Sequence, residues 1–288
     1  MLLGKRKPRR MIAKYCYWSV CDGAYGAMME NCVRTARNAG VFKEFHVLTD
    51  RPLEGCECYD ACQFENERGL FKLHYLKVGM IRLNFDYFIW LEADTVFVRN
   101  PLDLLAPLGR SPIHVPLELN LPASAERRSA EYEIGNENQN LGTSGPAKEH
   151  DSVREWHHLF RREGIVNQVY LCGSAFWIVH HDAIETVYDL ALGFWHKAKE
   201  AGLDVSAALG YAMQILCADP EAHLLLNHPD LWASDDEARF RQALPDRTPW
   251  TWQHPLGTDA IEIRPAIIHL PHSKELLTRA QQAIRGPS

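Results

Sequence analysis

Apolar and polar residues in the first fifty positions follow two different periods. Residues 11–21 alternate loosely and are rich in aromatic and β-branched side chains, which predicts a strand. From Tyr25 to Asn38 the apolar residues recur at helical spacing, and Gly40 follows as a candidate C-cap, which predicts a helix. Residues 44–49 are again strand-like. The order strand, helix, strand predicts a β-α-β unit, the building block of α/β folds.

The most apolar strand candidate is the run YFIWL at residues 87–91, which follows a second amphipathic helix predicted over residues 70–83. Its residues are apolar without alternation, a pattern typical of a strand covered on both faces in a parallel sheet. With the β-α-β unit before it, this run makes residues 11–105 a nucleotide-binding half of Rossmann type. No G-x-G-x-x-G follows the first strand, so a glycine-rich dinucleotide loop is not expected.

Two acids, Glu92 and Asp94, follow this strand directly, with the small Ala93 between them. Alternate side chains of an extended segment point the same way, so both carboxylates are expected to face one ligand. Ligands of open α/β sheets bind beyond the carboxyl ends of the strands, where paired carboxylates hold Mn²⁺ or Mg²⁺ and the ion holds phosphate. The pattern favours a metal clamp over the alternative of two solvated loop acids.

Residues 106–288 are predicted to form the second half of the same domain, with further strands and helices. Strands are predicted at 113–116, 169–179, 224–226 and 266–270, and helices at 101–108, 182–202, 205–217 and 273–284. Residues 52–65 are interpreted as irregular, and the polar residues 120–152 as an active-site loop or a disordered one. We therefore expect one α/β domain over 11–288, with a mixed, mostly parallel central sheet flanked by helices.

Composition and charge exclude several classes of protein. The 288 residues are 46% hydrophobic and 24% charged, as in an ordinary globular protein, and no apolar stretch reaches the roughly 18 residues of a membrane span. The net charge of -6 argues against a nucleic-acid-binding protein. Residues 1–10 are basic without an apolar run behind them, so they are interpreted as a disordered tail and not a signal peptide. A cytoplasmic location is expected.

Eight cysteines are too few for a disulfide scaffold in a chain of this length. Three of them, Cys56, Cys58 and Cys62, form one cluster with the spacing C-x-C-x3-C. A zinc site is one interpretation, but no second cysteine or histidine pair follows at finger spacing. Reduced buried or loop thiols are the favoured interpretation.

The order of these features resembles the GT-A glycosyltransferases, most of all the retaining family that includes glycogenin and galactosyltransferase-like enzymes. LEADT at residues 91–95 resembles that family's motif L-D-A-D-T, and VFVRNPLDLL resembles the strand and turn that follow it there. The resemblance implies a Rossmann-like GT-A fold and a metal-dependent transfer of sugar from a nucleotide diphosphate sugar, with uridine diphosphate as the favoured carrier. The implied partners are this donor and a sugar, small-molecule or protein acceptor.

Position by position, the resemblance also implies site residues. Glu92 and Asp94 stand where the family has two metal-binding aspartates, and His269 matches the histidine that completes the metal site. Residues implied to contact the donor are Asp22 and Tyr25 at the base, Lys72 and Lys274 near the diphosphate, and Ala93. The family's Asp-Gln pair before a late helix is absent. Asp204 is the nearest acid to that place and becomes the candidate catalytic residue.

Two alternatives to a transferase stay open on the residues alone. Glu92 and the absent Asp-Gln pair are compatible with a non-catalytic nucleotide-sugar-binding module. Fourteen histidines also allow a zinc hydrolase, although no pair has the H-E-x-x-H spacing. The candidate pairs are His157-His158, His180-His181 and His269-x-x-His272. Retention and inversion are both open, because a retaining transferase can use the leaving phosphate as its base whereas an inverting one needs a carboxylate.

Overall fold

The computed structural model describes residues 14–23, 25–60, 73, 76–77, 82–105, 113–114, 158–164, 176–203, 205–217, 231–234, 250–253 and 260–269. Several predictions fall outside this part of the chain. They are the tail at 1–10, most of the helix at 70–83, the polar segment 120–152, the strand at 224–226 and the helix at 273–284.

The described strands and helices follow in chain order. The strands are β1 (Tyr15–Val20), β2 (Phe45–Thr49), β3 (Glu57–Asp60), β4 (Tyr87–Leu91), β5 (Thr95–Phe97), β6 (Ile113–His114), β7 (Phe176–His180), β8 (Trp232–Ser234), β9 (Trp250–Gln253), β10 (Ala260–Ile263) and β11 (Ile267–His269). The helices are α1 (Tyr25–Asn38), α2 (Leu102–Leu105), α3 (Ile184–Glu200) and α4 (Val205–Cys217). A short 3-10 helix at His181–Ala183 leads into α3, and residues 158–162 are helical.

Six of these strands form the central sheet, in the order β3-β2-β1-β4-β7-β6. β1 pairs in parallel with β2 and β4, and β2 pairs in parallel with β3. β7 runs antiparallel to both of its neighbours, β4 and β6. The sheet is therefore mixed and mostly parallel, as the sequence predicts.

Both faces of the central sheet are covered, and β4 shows it best because all five of its residues are buried. Tyr87, Ile89 and Leu91 belong to the hydrophobic cluster that includes α1 and β5. Phe88 and Trp90 belong to the cluster on the other face, which includes α3 and α4. Burial on both faces requires apolar side chains at every position, and the prediction of such a strand is confirmed.

A smaller sheet, in the order β5-β11-β8, lies next to the carboxyl end of β4. β5 follows β4 after a three-residue turn at residues 92–94, and β11 runs antiparallel to β5 and parallel to β8. The backbone N–H of Phe97 donates to Thr35 Oγ1 at 3.1 Å, which ties β5 to α1. This sheet joins the last described part of the chain to the turn that carries the two acids. β9 and β10 form a separate antiparallel pair.

Most elements predicted from periodicity are confirmed, and one interpretation is wrong. α1 has its predicted bounds, and Gly40, whose φ is 79°, follows its last turn as the predicted cap. Gly40 N donates to Arg37 O at 3.0 Å and Val41 N to Ala36 O at 2.9 Å, the two bonds of a Schellman cap.

The interpretation of residues 52–65 as irregular is wrong because β3 lies within them. Three of its four side chains are exposed at the sheet edge, so the strand has no apolar pattern to detect.

His114 in β6 is fully buried, and neither of its ring nitrogens has a hydrogen-bond partner among the described residues. Burial lowers the pKa of His114 to about 4. The unfolded chain takes up a proton near the ordinary histidine pKa of about 6.5, so stability that is present above pH 6.5 is lost as the pH falls toward 4. We expect the free energy of unfolding, measured with urea, to fall by roughly 3 kcal/mol over this range from this residue alone.

The substitution His114→Leu should remove this component of the pH dependence. His181→Gln is the matched control, because the side chain of His181 is 41% exposed and is in contact with water in both the folded and the unfolded protein. If the difference in unfolding free energy between His114→Leu and the wild type is the same at pH 7 and pH 5, the buried histidine does not titrate as described.

Candidate metal and nucleotide site

The turn between β4 and β5 carries Glu92, Ala93 and Asp94. Ala93 is 4% exposed and packs in the cluster with α1, whereas the two acids are half-buried. The buried Ala93 thus holds the turn against the core, while the carboxylates of Glu92 and Asp94 remain accessible to a ligand. The turn lies at the carboxyl edge of the parallel strands, where ligands of open α/β sheets bind.

His269 reaches this turn through strand pairing. It is the last residue of β11, and in the antiparallel register with β5 it stands opposite Thr95, directly after Asp94. His269 Nε2 lies 3.2 Å from Asp94 Oδ1 and 3.8 Å from Glu92 Oε2. The structure therefore brings together the three residues that the resemblance implies as metal ligands.

The three side chains fit a divalent ion. One ligand atom from each lies within 4.8 Å of the other two, and among the described residues no other group of three histidine, cysteine or acidic side chains meets this criterion. Asp94 Oδ1 is buried and accepts no hydrogen bond from the part of the chain that the structure describes, although His269 Nε2 is close. A buried carboxylate oxygen 3.2 Å from an imidazole nitrogen fits two atoms that ligate one ion. Carboxylate oxygens are ligands of Mg²⁺, Ca²⁺ and Mn²⁺ and imidazole is a ligand of Zn²⁺ and other transition metals, so this mixed set admits a divalent ion without selecting one.

Cys21 and Cys32 lie in the core beside the same edge of the sheet. Burial raises the pKa of Cys21 to about 12. Burial also raises the pKa of Cys32 well above its ordinary value, and the neighbouring Cys56 and Asp94 add to that shift. Neither thiol belongs to the group of possible metal ligands among the described residues, which consists of Glu92, Asp94 and His269.

The turn between β1 and α1 lies at the same edge, because β1 and β4 are neighbouring parallel strands. Asp22 is exposed and its backbone carbonyl accepts from Tyr25 N at 2.9 Å, while Gly23 adopts a φ of 47°. A left-handed φ in so tight a turn favours glycine. Tyr25 is 50% exposed, so this ring is not a core residue of α1. The turn thus carries one exposed carboxylate and one half-exposed aromatic ring at the sheet edge where β4 also ends.

Asp50 is a further residue at this edge that the sequence patterns did not single out. It follows β2 directly, and its Oδ2 accepts from Gly23 N at 3.1 Å. An acid immediately after a strand that neighbours β1 was a detectable signal, equivalent to that of Glu92 and Asp94 after β4. The carboxylate holds the turn that carries Asp22 and Tyr25.

Three of the predicted site residues, Lys72, Asp204 and Lys274, lie outside the described residues, and their roles stay predictions. Cys62, the third member of the cysteine cluster, also lies outside them. Cys56 and Cys58 are free thiols, and burial raises the pKa of Cys56 to about 12.

The comparison with solved structures shows the same architecture in a protein of very different sequence. A crystal structure of galactosyltransferase LgtC, in complex with donor and acceptor sugar analogues, is similar over 93% of this chain and 95% of that chain. The TM-score is 0.56 and the sequence identity is 9%. The chain has a GT-A-like fold. Because the identity is so low, the likeness shows the fold alone. No family model and no curated protein sequence matches the chain.

The GT-A-like fold accounts for the position of the site. The parallel strands β1, β2 and β4 end at one edge of the central sheet, and the β5-β11 pair lies next to that edge. None of the described helices combines the length and the apolar character needed to cross a bilayer. Of the three histidine pairs considered for a zinc hydrolase, His180-His181 lies at the other end of β7 from this edge and belongs to no metal-binding group of the described residues. The other two pairs each include a residue outside the described part of the chain, His157 or His272.

Proposed function

We propose that the protein is a metal-dependent glycosyltransferase that moves a sugar from a nucleotide diphosphate sugar, with a uridine diphosphate sugar as the favoured donor. The observation that supports this best is the approach of Glu92, Asp94 and His269 at the carboxyl edge of a GT-A-like fold. Mn²⁺ or Mg²⁺ is the proposed cofactor, and the acceptor is a sugar, a small molecule or a protein.

Each ligand has a defined task in this proposal. Cleavage of a sugar-diphosphate bond leaves added negative charge on the diphosphate, and a bound divalent ion supplies electrostatic stabilisation of that charge. Asp94 and His269 are held in place by the register of β5 and β11, so they offer preorganised donor atoms. Glu92 has a longer side chain than the aspartate of the related motif and approaches from the end of β4. Lys72 and Lys274 are proposed to add positive charge at the diphosphate.

Asp204 is the proposed carboxylate near the acceptor hydroxyl. It is the first residue before α4, and a general base there would favour inversion. A retaining reaction would instead leave Asp204 without a role in proton transfer. Anomeric configuration of the product, measured by proton NMR, distinguishes the two.

Nucleotide diphosphate release from a panel of nucleotide sugars tests the proposal, with Mn²⁺ present or with EDTA. Turnover that requires Mn²⁺ and increases with an acceptor sugar is the expected result. Binding of the donor without any release would instead identify a non-catalytic nucleotide-sugar-binding module. Hydrolysis of a peptide or ester substrate that depends on Zn²⁺, without nucleotide release, would identify the hydrolase.

Tyr25→Ala is expected to weaken the binding of the free nucleotide diphosphate by roughly 1 to 3 kcal/mol, the cost of losing one stacked base. The half-exposed ring beside Asp22 motivates this prediction. Isothermal titration calorimetry measures the affinity, and Tyr25→Phe is the control that keeps an aromatic face. Equal affinities for Tyr25→Ala and the wild type would show that the base does not stack on this residue.

A further inference from the structure

Thr95 carries a buried hydroxyl beside the candidate metal site. It is the first residue of β5 and is fully buried. Its Oγ1 forms no hydrogen bond with any residue that the structure describes. A buried hydroxyl without a partner is unfavourable because it has lost its hydrogen bonds to water, and most buried polar groups in native proteins have a partner. The hydroxyl of Thr95 is an exception that its surroundings explain.

Two of the proposed metal ligands adjoin Thr95. Asp94 precedes it in the chain, and His269 stands directly opposite it in the antiparallel pairing of β5 with β11. Residues opposite each other in such a pair carry their side chains on the same face of the sheet, with Cβ atoms about 5 Å apart. His269 Nε2 in turn lies 3.2 Å from Asp94 Oδ1, which is buried and accepts no hydrogen bond from the described residues. The Thr95 hydroxyl is therefore next to the side chains that would hold the ion.

Thr35 shows that a buried threonine in this part of the fold can be fully hydrogen-bonded. Thr35 is 2% exposed, and its Oγ1 donates to Cys32 O at 2.8 Å and accepts from Phe97 N at 3.1 Å. The hydroxyls of two residues in β1 are also buried without a described partner, but only Thr95 both follows one proposed metal ligand and pairs with another. The location of the Thr95 hydroxyl therefore points to the metal site.

The side chains that bind a metal ion are commonly held by further hydrogen bonds of their own. A carboxylate that binds an ion accepts such bonds, and an imidazole that binds an ion through one nitrogen donates through the other. A hydroxyl suits both, since it has one donor hydrogen and two acceptor lone pairs. Thr95 thus has the right chemistry to hold either of its neighbours on the ion.

We infer that Thr95 is a positioning residue of the metal site, whose hydroxyl hydrogen-bonds to the side chain of Asp94 or His269 when the ion is bound. The inference rests on the proposed function, because it assigns a residue behind the ligands of the proposed ion. Without the ion the buried hydroxyl lowers the stability of the protein, whereas with the ion the hydroxyl forms a hydrogen bond. This difference between the two states adds to the affinity for the ion.

The substitution Thr95→Val tests the inference, because it removes the hydroxyl and keeps the shape of the side chain. In EDTA it should raise the melting temperature, measured by calorimetry, by roughly 2 to 4 °C, since a methyl group replaces a buried hydroxyl without a partner. The Mn²⁺ affinity, measured by electron paramagnetic resonance with and without UDP, should fall by about 10- to 100-fold, the usual effect of removing a hydrogen-bond partner of a metal ligand. Thr95→Ser keeps the hydroxyl and should bind Mn²⁺ as the wild type does.

Thr35→Val is the matched control for the stability measurement. It makes the same change at a buried threonine whose hydroxyl has two partners, so it should lower the melting temperature in EDTA. Opposite signs for the two valine substitutions would show that the state of the hydroxyl decides the effect, and not the burial of one more methyl group.

Two results overturn the inference while leaving the proposed function intact. A lower melting temperature of Thr95→Val in EDTA would show that the hydroxyl already has a partner in the protein without the ion. An unchanged Mn²⁺ affinity of Thr95→Val would show that no metal ligand depends on the hydroxyl. If the wild type binds no Mn²⁺, either alone or with UDP, the metal site of the proposed function fails and the inference fails with it.

Discussion

Asp94→Ala is expected to lower metal-dependent nucleotide release by at least about 100-fold. Loss of an outer-shell partner of a metal ligand already costs 10- to 100-fold in affinity or activity, and Asp94 is proposed as a direct ligand. Its Oδ1 is buried at 3.2 Å from His269 Nε2, so removing the carboxylate leaves a gap that water fills without the charge. Initial rates at increasing Mn²⁺ measure the effect, together with the Mn²⁺ affinity from electron paramagnetic resonance.

Glu92→Asp is the matched control for this prediction. It keeps a carboxylate at the first position and restores the residue of the related motif, so Mn²⁺ should still bind. A carboxylate one methylene shorter tests whether the longer arm of Glu92 is needed to reach the ion. Full activity of Asp94→Ala in the presence of EDTA would refute the metal clamp, whatever the result for Glu92.

Phe97→Ala is expected to destabilise the protein by about 3 to 5 kcal/mol, the range for truncating a buried aromatic side chain. Phe97 is fully buried in β5 and contacts the rings of Tyr17 and Phe45, with centroids 5.3 Å and 6.0 Å away. The same strand pairs with β11, so that His269 stands opposite Thr95, the residue directly after Asp94. Weaker Mn²⁺ binding should therefore accompany the loss of stability measured by urea denaturation.

Phe42→Ala makes the same chemical change at a position that is 80% exposed. Because the ring of Phe42 is already in water, its removal should change the unfolding free energy by no more than about 0.5 kcal/mol and leave the Mn²⁺ affinity unchanged. Equal destabilisation by the two substitutions would contradict the role of Phe97 in the core. If Phe97→Ala is destabilised but binds Mn²⁺ normally, the pairing of β5 and β11 holds the metal ligands in place without the Phe97 ring.

Elements with a strong local pattern were predictable from the sequence. β4 has five apolar residues in succession because both faces of the sheet are covered, and α1 has an apolar stripe with a glycine cap. Elements without such a pattern were not. β3 is an exposed edge strand, so no apolar periodicity marks it in the sequence.

Local sequence patterns predicted the α/β class, the strand that ends at Leu91, and the two acids with Ala93 between them, since each depends on neighbours along the chain. The proximity of His269 and Asp94 was decided by tertiary structure. An apolar run before a histidine specifies a strand but not its partner, and resemblance to a family, not periodicity, pointed to His269. Likewise the bond from Gly23 to Asp50 exists only because β1 and β2 pair in parallel. Strand pairing and register are set by the packing of side chains distant in sequence, which no local pattern contains.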